Sequence, residues 1–124
     1  MKPSHILIVD DEAQIRSLLT EFLTRVGYRV TPVSTAIEAQ EAVRADPPDL
    51  IITDLQLEDS DGLDMIGRLR AALPSTPVIL LTGVLFDPKV ARDVLSKKVS
   101  CYLPKTSSLS RILSEVQRLL GPGS

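Results

Sequence analysis

The chain is poor in the residues on which several classes of site depend. Its 124 residues include one cysteine, Cys101, one histidine, His5, and no tryptophan. A single cysteine excludes an internal disulfide, and a single histidine excludes a histidine-rich metal site. We expect Cys101 to be a small buried hydrophobic residue rather than a reactive thiol, because free cysteines are usually buried and inert.

Aromatic residues and excess charge are also scarce. Aromatics make up 3% of the chain, which argues against a base-stacking surface for single-stranded nucleic acid. The 14 Lys and Arg residues against 16 Asp and Glu residues give a formal net charge of -2, so there is no basic footprint for nucleic acid. No apolar run approaches the ~20 residues that span a bilayer, and no apolar signal segment follows Met1. We therefore expect a cytoplasmic protein without direct contacts to nucleic acid or membrane.

What the chain does contain is a regular alternation of two hydrophobic periodicities. Continuous apolar runs are typical of strands buried on both faces, and apolar residues spaced i, i+3, i+4 indicate helices. The pattern predicts strands at 6–9, 29–34, 49–54, 77–82 and about 100–103, each followed by a helix, the fourth at about 87–97. This order predicts an α/β fold with a parallel sheet covered on both faces, forming one domain over 1–120 with a flexible end at 121–124.

Several residues are typical of helix ends. Gly27 is expected to cap the first helix at its C-terminus. Thr35 is expected to begin the second helix, and Glu38, three residues later, would complete a capping box. Asp61 is expected to cap the third helix.

Acidic residues lie at the ends of two of the predicted strands. Asp10 and Asp11 follow the first strand, and Asp54 closes the apolar run of the third. Because parallel strands end at one edge of the sheet, where ligands of such folds bind, these carboxylates should meet there. Crowded carboxylates repel unless a cation or proton joins them. The pattern therefore predicts a divalent metal site with one acid free to act as a nucleophile.

Two further strand ends carry complementary groups. Thr82 closes the fourth strand, and Lys105 follows the fifth. Each alone is weak evidence, since an Asp after a strand is more often a turn former and a lone Lys is usually a solvated charge. Together, however, the acids, a hydroxyl and an ammonium supply what a phosphoryl group beside a metal ion requires.

These motifs resemble those of the receiver domain of two-component response regulators, over about residues 4–120. The matching segments are Ile8-Val9-Asp10-Asp11-Glu12, Ile52-Thr53-Asp54-Leu55, Asp61-Gly62, Leu81-Thr82-Gly83 and Tyr102-Leu103-Pro104-Lys105. The resemblance implies a flavodoxin-like, doubly wound (βα)5 fold with strand order 2-1-3-4-5.

The resemblance also implies how the acids act. Asp54 would accept a phosphoryl group from a phosphohistidine on a sensor histidine kinase or phosphotransfer protein, giving a 4-aspartylphosphate. Asp11 and Asp54 would bind Mg²⁺ directly, and Asp10 would hold it through water. The main-chain carbonyl of Gln56 would complete the protein ligands. The only catalysis expected is self-phosphorylation and slow self-hydrolysis.

The remaining implied roles concern the switch and its readout. Thr82 and Lys105 would bind the phosphoryl oxygens, and Tyr102 would turn inward when Thr82 moves. The resemblance leaves the downstream effector unknown and allows a homodimer through the face formed by the fourth helix, fifth strand and fifth helix.

Departures from the family pattern keep other interpretations open. Thr106 stands where the family usually has Pro after the lysine, and the run at 84–86, Val-Leu-Phe, is unusually apolar. That run either packs on the fourth helix or forms a docking patch for a partner. One alternative is a receiver-fold interaction module that no longer depends on phosphorylation. Two other classes are disfavoured. A haloacid-dehalogenase-type hydrolase would need a second acid where Gln56 stands. A mononucleotide-binding protein would need a Gly-rich first turn, which this chain lacks.

Overall fold

The structure, a computed structural model, describes residues 3–54, 62–83 and 99–121. Its strands are β1 (His5–Val9), β2 (Arg29–Val33), β3 (Leu50–Thr53), β4 (Val78–Thr82) and β5 (Cys101–Pro104). The helices within the described ranges are α1 (Ala13–Val26), α2 (Ala36–Ala45), α3 (Gly62–Ala72) and α4 (Leu109–Leu120). The helix predicted at 87–97, the cap predicted at Asp61 and residues 122–124 lie outside the described residues.

The five strands form one parallel sheet in the order β2-β1-β3-β4-β5. This confirms the predicted fold class and strand order, and every strand boundary lies within one residue of its predicted position. The continuous apolar runs form the buried strands β1, β3 and β4, in which every residue is buried. Because all five strands run in the same direction, their C-terminal ends share one edge of the sheet.

The side chains of each strand alternate between two hydrophobic layers. From β1, Leu7 and Val9 pack with the apolar residues of α2 and α3 on one face of the sheet. Ile6 and Ile8 point to the other face and pack with α1 and α4. Each fully buried aliphatic side chain contributes about 1.5–3 kcal/mol relative to an exposed one, so the two layers hold the strand ends in fixed positions.

The predicted caps of α1 and α2 are present, with one difference of detail. Gly27 ends α1 with a φ of 121°, a conformation that favours glycine. The Thr35 hydroxyl accepts a hydrogen bond from the Glu38 N–H at 3.1 Å and so caps α2. The Glu38 carboxylate accepts from the N–H and the hydroxyl of Ser34, at 3.3 and 2.7 Å. The capping box therefore extends one residue further back than the simple pattern predicts.

His5 is buried at the N-terminal edge of the sheet, with 2% of its surface exposed. Its Nε2 lies 2.7 Å from the Thr31 hydroxyl on the neighbouring strand β2. The main-chain N–H of His5 donates to a carboxylate oxygen of Asp49 at 2.7 Å. The main-chain carbonyl of His5 accepts from the Asp49 N–H at 2.7 Å. The histidine therefore joins β1, β2 and the segment that enters β3.

Two further predictions concern burial and membranes. Cys101 is partly buried, and burial raises the pKa of its thiol, with the nearby Glu115 carboxylate acting in the same direction. A thiol with a raised pKa is a poor nucleophile, as expected for a packing residue. Across the described ranges, the helices are too short or too polar to traverse a bilayer.

Candidate functional site

Three of the predicted site residues occupy equivalent positions, each directly after a strand. The Asp10 N–H donates to the carbonyl of the last residue of β2 at 3.1 Å. The Asp54 N–H donates to the carbonyl of the last residue of β1, also at 3.1 Å. The Lys105 N–H donates in the same way to Thr82, the last residue of β4, at 2.9 Å. Each residue thus extends the ladder of the sheet by one bond, which fixes its backbone and directs the three side chains to the same edge.

The side chains meet around the ammonium group of Lys105. Its nitrogen lies 2.8 Å from Oδ2 of Asp54 and 3.0 Å from Oδ2 of Asp10, and it also contacts Oε1 of Glu12. Asp10 and Asp54 are 3% and 2% exposed, so both acids are buried. Buried carboxylates require partners, and Lys105 provides the cation for both.

The electrostatics of the site follow from this mixture of burial and charge. Burial raises the pKa of Asp10, while hydrogen bonds from the Glu12 N–H and from Lys105 partly oppose that effect. Burial by itself would lower the pKa of Lys105, but hydrogen bonds to Asp54, Glu12 and Asp10 outweigh it and raise the pKa above its ordinary value. Lys105 therefore remains a cation at neutral pH.

Four carboxylates at this edge form a candidate metal centre. Asp10, Asp11, Glu12 and Asp54 each offer an oxygen atom, and these atoms lie within 4.8 Å of one another. No other group of three or more such side chains meets this criterion within residues 3–54, 62–83 and 99–121. The donor set consists of hard oxygen ligands, without histidine or cysteine, and so fits Mg²⁺ better than Zn²⁺.

Glu12 is a member of this cluster that the sequence did not single out. Its N–H donates to Oδ1 of Asp10 at 2.8 Å, and its carboxylate contacts Lys105. Glu12 is the last acid of the run that follows β1. That acidic run is the sequence feature from which its place in the cluster could have been predicted. The contact itself joins residues 93 positions apart in the chain, which no local pattern reveals.

The other predicted site residues differ in how directly they join the cluster. Thr82 is 1% exposed and linked to Lys105 through its carbonyl. Tyr102, on β5, is partly buried and packs against the core layer that contains α2 and α3. Gln56 and the apolar run at 84–86 lie outside the described residues. The described part of the chain has no cis peptide bond, so the bond before Thr106 is trans.

This arrangement can support phosphoryl chemistry. A buried carboxylate with a cation 2.8 Å away is a nucleophile whose developing product charge already has a partner. The adjacent acids supply oxygen ligands for a metal ion, and the hydroxyl-bearing Thr82 lies at the end of the adjacent strand β4. Transfer of a phosphoryl group depends on this kind of positioning and charge neutralisation more than on covalent catalysis by the protein.

Comparison with known proteins relates this site to one family. The family model described as the response regulator receiver domain matches residues 6–117. Response regulator MprA of Mycobacterium ulcerans is 32% identical over 122 residues, which are 93% of this chain and 49% of that protein. The DNA-binding transcriptional regulator NtrC of Rhizobium meliloti is 31% identical over 127 residues, covering 97% of this chain and 25% of that protein. The chain therefore spans half or less of the length of these two relatives.

Solved structures agree with the fold. A CheY-like receiver domain protein from Methanospirillum hungatei superposes with a TM-score of 0.89 at 24% identity, covering 96% of this chain and 94% of that one. The receiver domain of a signal transduction histidine kinase from Syntrophus aciditrophicus has a TM-score of 0.83 at 32% identity, covering 94% and 89%. With the family model matching nearly the whole chain, the protein belongs to the response regulator receiver domain family.

Proposed function

We propose that Asp54 accepts a phosphoryl group from a phosphohistidine on a sensor histidine kinase or phosphotransfer protein, in a Mg²⁺-dependent reaction. One observation carries this proposal: the Lys105 ammonium lies between the buried carboxylates of Asp10 and Asp54 at the ligand-binding edge of the sheet. Burying two acids and a cation contributes little to stability compared with a well-packed apolar cluster. The arrangement is therefore better explained by a reaction than by folding alone.

The transfer itself requires one bond to form and one to break. A carboxylate oxygen of Asp54 bonds to phosphorus while the P–N bond of the donor phosphohistidine breaks, and the departing imidazole nitrogen keeps the electron pair. Asp11 and Asp54 would hold Mg²⁺ directly, with Asp10 acting through water and the Gln56 carbonyl completing the ligands. When bound, Mg²⁺ would neutralise charge on the phosphoryl oxygens.

Lys105 and Thr82 would receive the product. The Lys105 ammonium, now 2.8 Å from an Asp54 carboxylate oxygen, would pair with a phosphoryl oxygen of the aspartyl phosphate. The Thr82 hydroxyl would donate a hydrogen bond to another phosphoryl oxygen. Because the Lys105 N–H is bonded to the Thr82 carbonyl, movement at one strand end is transmitted to the other.

Such new bonds would provide the switch. Aspartyl phosphate adds charge and acceptor oxygens, and the shift of Thr82 would let Tyr102 turn inward and alter the surface that partners contact. The effector is unassigned. One form that the output could take is a homodimer through the predicted fourth helix at 87–97, β5 and α4, which is the helix that follows β5. Apart from self-phosphorylation and slow self-hydrolysis, no catalysis is proposed, and the site of action is proposed to be the cytoplasm.

A second candidate is an interaction module that keeps the receiver fold and does not depend on phosphorylation. Thr106, in place of the usual Pro, is the observation that favours it. The charged residues of the site weigh against it, because Asp10, Asp11, Asp54 and Lys105 are all present and Lys105 already contacts two of the acids.

The decisive test is adduct formation at Asp54. The protein would be incubated with Mg²⁺ and either acetyl phosphate or beryllofluoride, and then examined by intact mass and NMR. We expect an adduct on the wild type and on Asp64→Asn, an exposed acid on α3 that pairs with Arg68 away from the site. We expect none on Asp54→Asn. An absent wild-type adduct, or one that survives Asp54→Asn, would refute the proposal.

A further inference from the structure

A guanidinium group reaches the acidic turn from α1. The Nη1 of Arg16 donates a hydrogen bond to the main-chain carbonyl of Asp10 at 2.7 Å, and this contact is partly buried. The main-chain N–H of Arg16 closes the first turn of α1 by donating a hydrogen bond to the Glu12 carbonyl at 3.1 Å. The side chain of Arg16 therefore starts on α1, the helix that follows the acidic turn, and folds back onto that turn.

The carbonyl that Arg16 holds belongs to the peptide bond between Asp10 and Asp11. A peptide unit is planar, so fixing its carbonyl oxygen fixes the plane and with it the position of the Asp11 Cα atom. Asp10, which precedes this peptide bond, is already held by two hydrogen bonds. Its N–H donates to the end of β2, and its Oδ1 accepts from the Glu12 N–H. Arg16 supplies the bond that sets the direction of Asp11.

We propose that Arg16 is a positioning residue that orients the Asp10–Asp11 peptide so that the carboxylates after β1 can hold a divalent cation together with Asp54. This inference rests on the proposed function of the site. In this role Arg16 would contact neither the cation nor the phosphoryl group. It acts through a main-chain carbonyl, as the outer partners of metal ligands commonly do.

The surroundings of Arg16 support this role. Glu38, at the start of α2, has its pKa lowered mainly by hydrogen bonds from Ser34 and Thr35, and the Arg16 charge contributes to the same effect. The Arg16 side chain is therefore close enough to the start of α2 for its charge to act on Glu38.

The test is the affinity for Mg²⁺ alone, measured by titrating ¹⁵N-labelled protein and following amide shifts around Asp54 and Lys105. We expect Arg16→Met to weaken Mg²⁺ binding by about 10-fold, the lower end of the usual effect of removing an outer partner of a metal ligand. Arg16→Lys, which keeps the charge and one donor group, should be intermediate. Arg25→Met is the matched control, because Arg25 lies on the same helix, is exposed, and pairs with Glu21.

The direction of the change separates positioning from simple charge. Removing a cation near an acidic site would by electrostatics alone strengthen Mg²⁺ binding, whereas loss of positioning weakens it. Unchanged or tighter binding in Arg16→Met would overturn the inference. If that variant fails to fold, Arg16→Gln replaces it, since its shorter side chain also loses the contact. Urea unfolding of each variant verifies that titrations report folded protein.

Failure of this inference is distinguishable from failure of the proposed function. If the wild type binds Mg²⁺ and forms the beryllofluoride adduct at Asp54 while Arg16→Met binds Mg²⁺ equally well, only the positioning role is refuted. If the wild type neither binds Mg²⁺ nor forms the adduct, the proposed function fails and the inference fails with it.

Discussion

The ammonium nitrogen of Lys105 lies 2.8 Å from Oδ2 of Asp54 and joins the turn after β5 to the end of β3. The same nitrogen also contacts Asp10, so one cation compensates two buried acids. A pair of this kind is worth little relative to apolar packing, but removing one partner leaves an uncompensated buried charge. The stability of the strand ends should therefore depend on Lys105, and on any cation that can replace it.

Lys105→Met is expected to lower the free energy of unfolding by about 3 kcal/mol at neutral pH, because Asp10 and Asp54 lose their cation. Mg²⁺ should restore more stability to this variant than it adds to the wild type, since binding to the folded state stabilises it and the competing ammonium is gone. Urea unfolding with and without Mg²⁺ measures both effects. Arg25→Met should change stability by less than about 1 kcal/mol, as for an exposed pair. An equal Mg²⁺ effect in Lys105→Met and the wild type would contradict the prediction.

The order of elements and the location of the acids could be predicted from the sequence because both follow local patterns. Apolar runs mark buried strands, and a residue that follows a parallel strand must lie at the common edge. Asp10, Asp54 and Lys105 accordingly lie where expected, each one residue beyond its strand.

Contacts made by long side chains could not be predicted in this way. Glu12 and Arg16 follow the same strand, yet Glu12 reaches Lys105 and Arg16 reaches back to the Asp10 carbonyl. Each choice depends on rotamers and on neighbours distant in the chain, and neither leaves a periodic signal. The capping interaction at Glu38 differs for a similar reason, since the turn directs its carboxylate to Ser34.

The buried histidine predicts a coupling between β1 and β2. Thr31→Val keeps the shape of the side chain but removes the hydroxyl that lies 2.7 Å from His5 Nε2. A buried ring nitrogen without its partner costs about 1–3 kcal/mol, which urea unfolding would detect. In a His5→Leu background the same substitution should cost much less, because no ring nitrogen remains to satisfy. Equal costs in both backgrounds would show that the hydrogen bond does not contribute.

The capping interaction of Glu38 predicts a dependence on pH. Hydrogen bonds, first from the Ser34 side chain and N–H and then from Thr35, lower the pKa of Glu38 below its ordinary value of 4.5. The folded protein therefore binds this proton less tightly than the unfolded chain does. The resulting stability is fully present above 4.5 and is lost as the pH falls through the lowered pKa of the folded state.

Glu38→Gln removes this titration and isolates it by difference. We expect the gap in unfolding free energy between the wild type and Glu38→Gln to be constant near neutral pH and to shrink in acid. Urea unfolding across a pH series provides the curve. Ser34→Ala removes one of the donors that lower the pKa, so the same comparison in that background should depend less on pH. A gap that widens in acid would contradict the assigned direction.

Pro32 has a position in β2 that predicts resistance to self-association. The Arg29 N–H and the Val33 carbonyl both bond toward β1, so by alternation the backbone groups of Val30 and Pro32 point to the open edge of the described sheet. Pro32 has no N–H, and that edge therefore lacks one donor for pairing with a strand of another molecule.

Pro32→Val restores the donor and should promote association through this edge, while changing the free energy of unfolding by less than about 1 kcal/mol. Light scattering over a range of concentrations, before and after heating, measures the association. Pro32→Lys is the matched control, because it restores the same N–H but adds a charge that disfavours edge pairing. The expected order of association is Val above Lys, with the wild type lowest. If Pro32→Val stays as monomeric as the wild type under all these conditions, the missing N–H has no protective role at this edge.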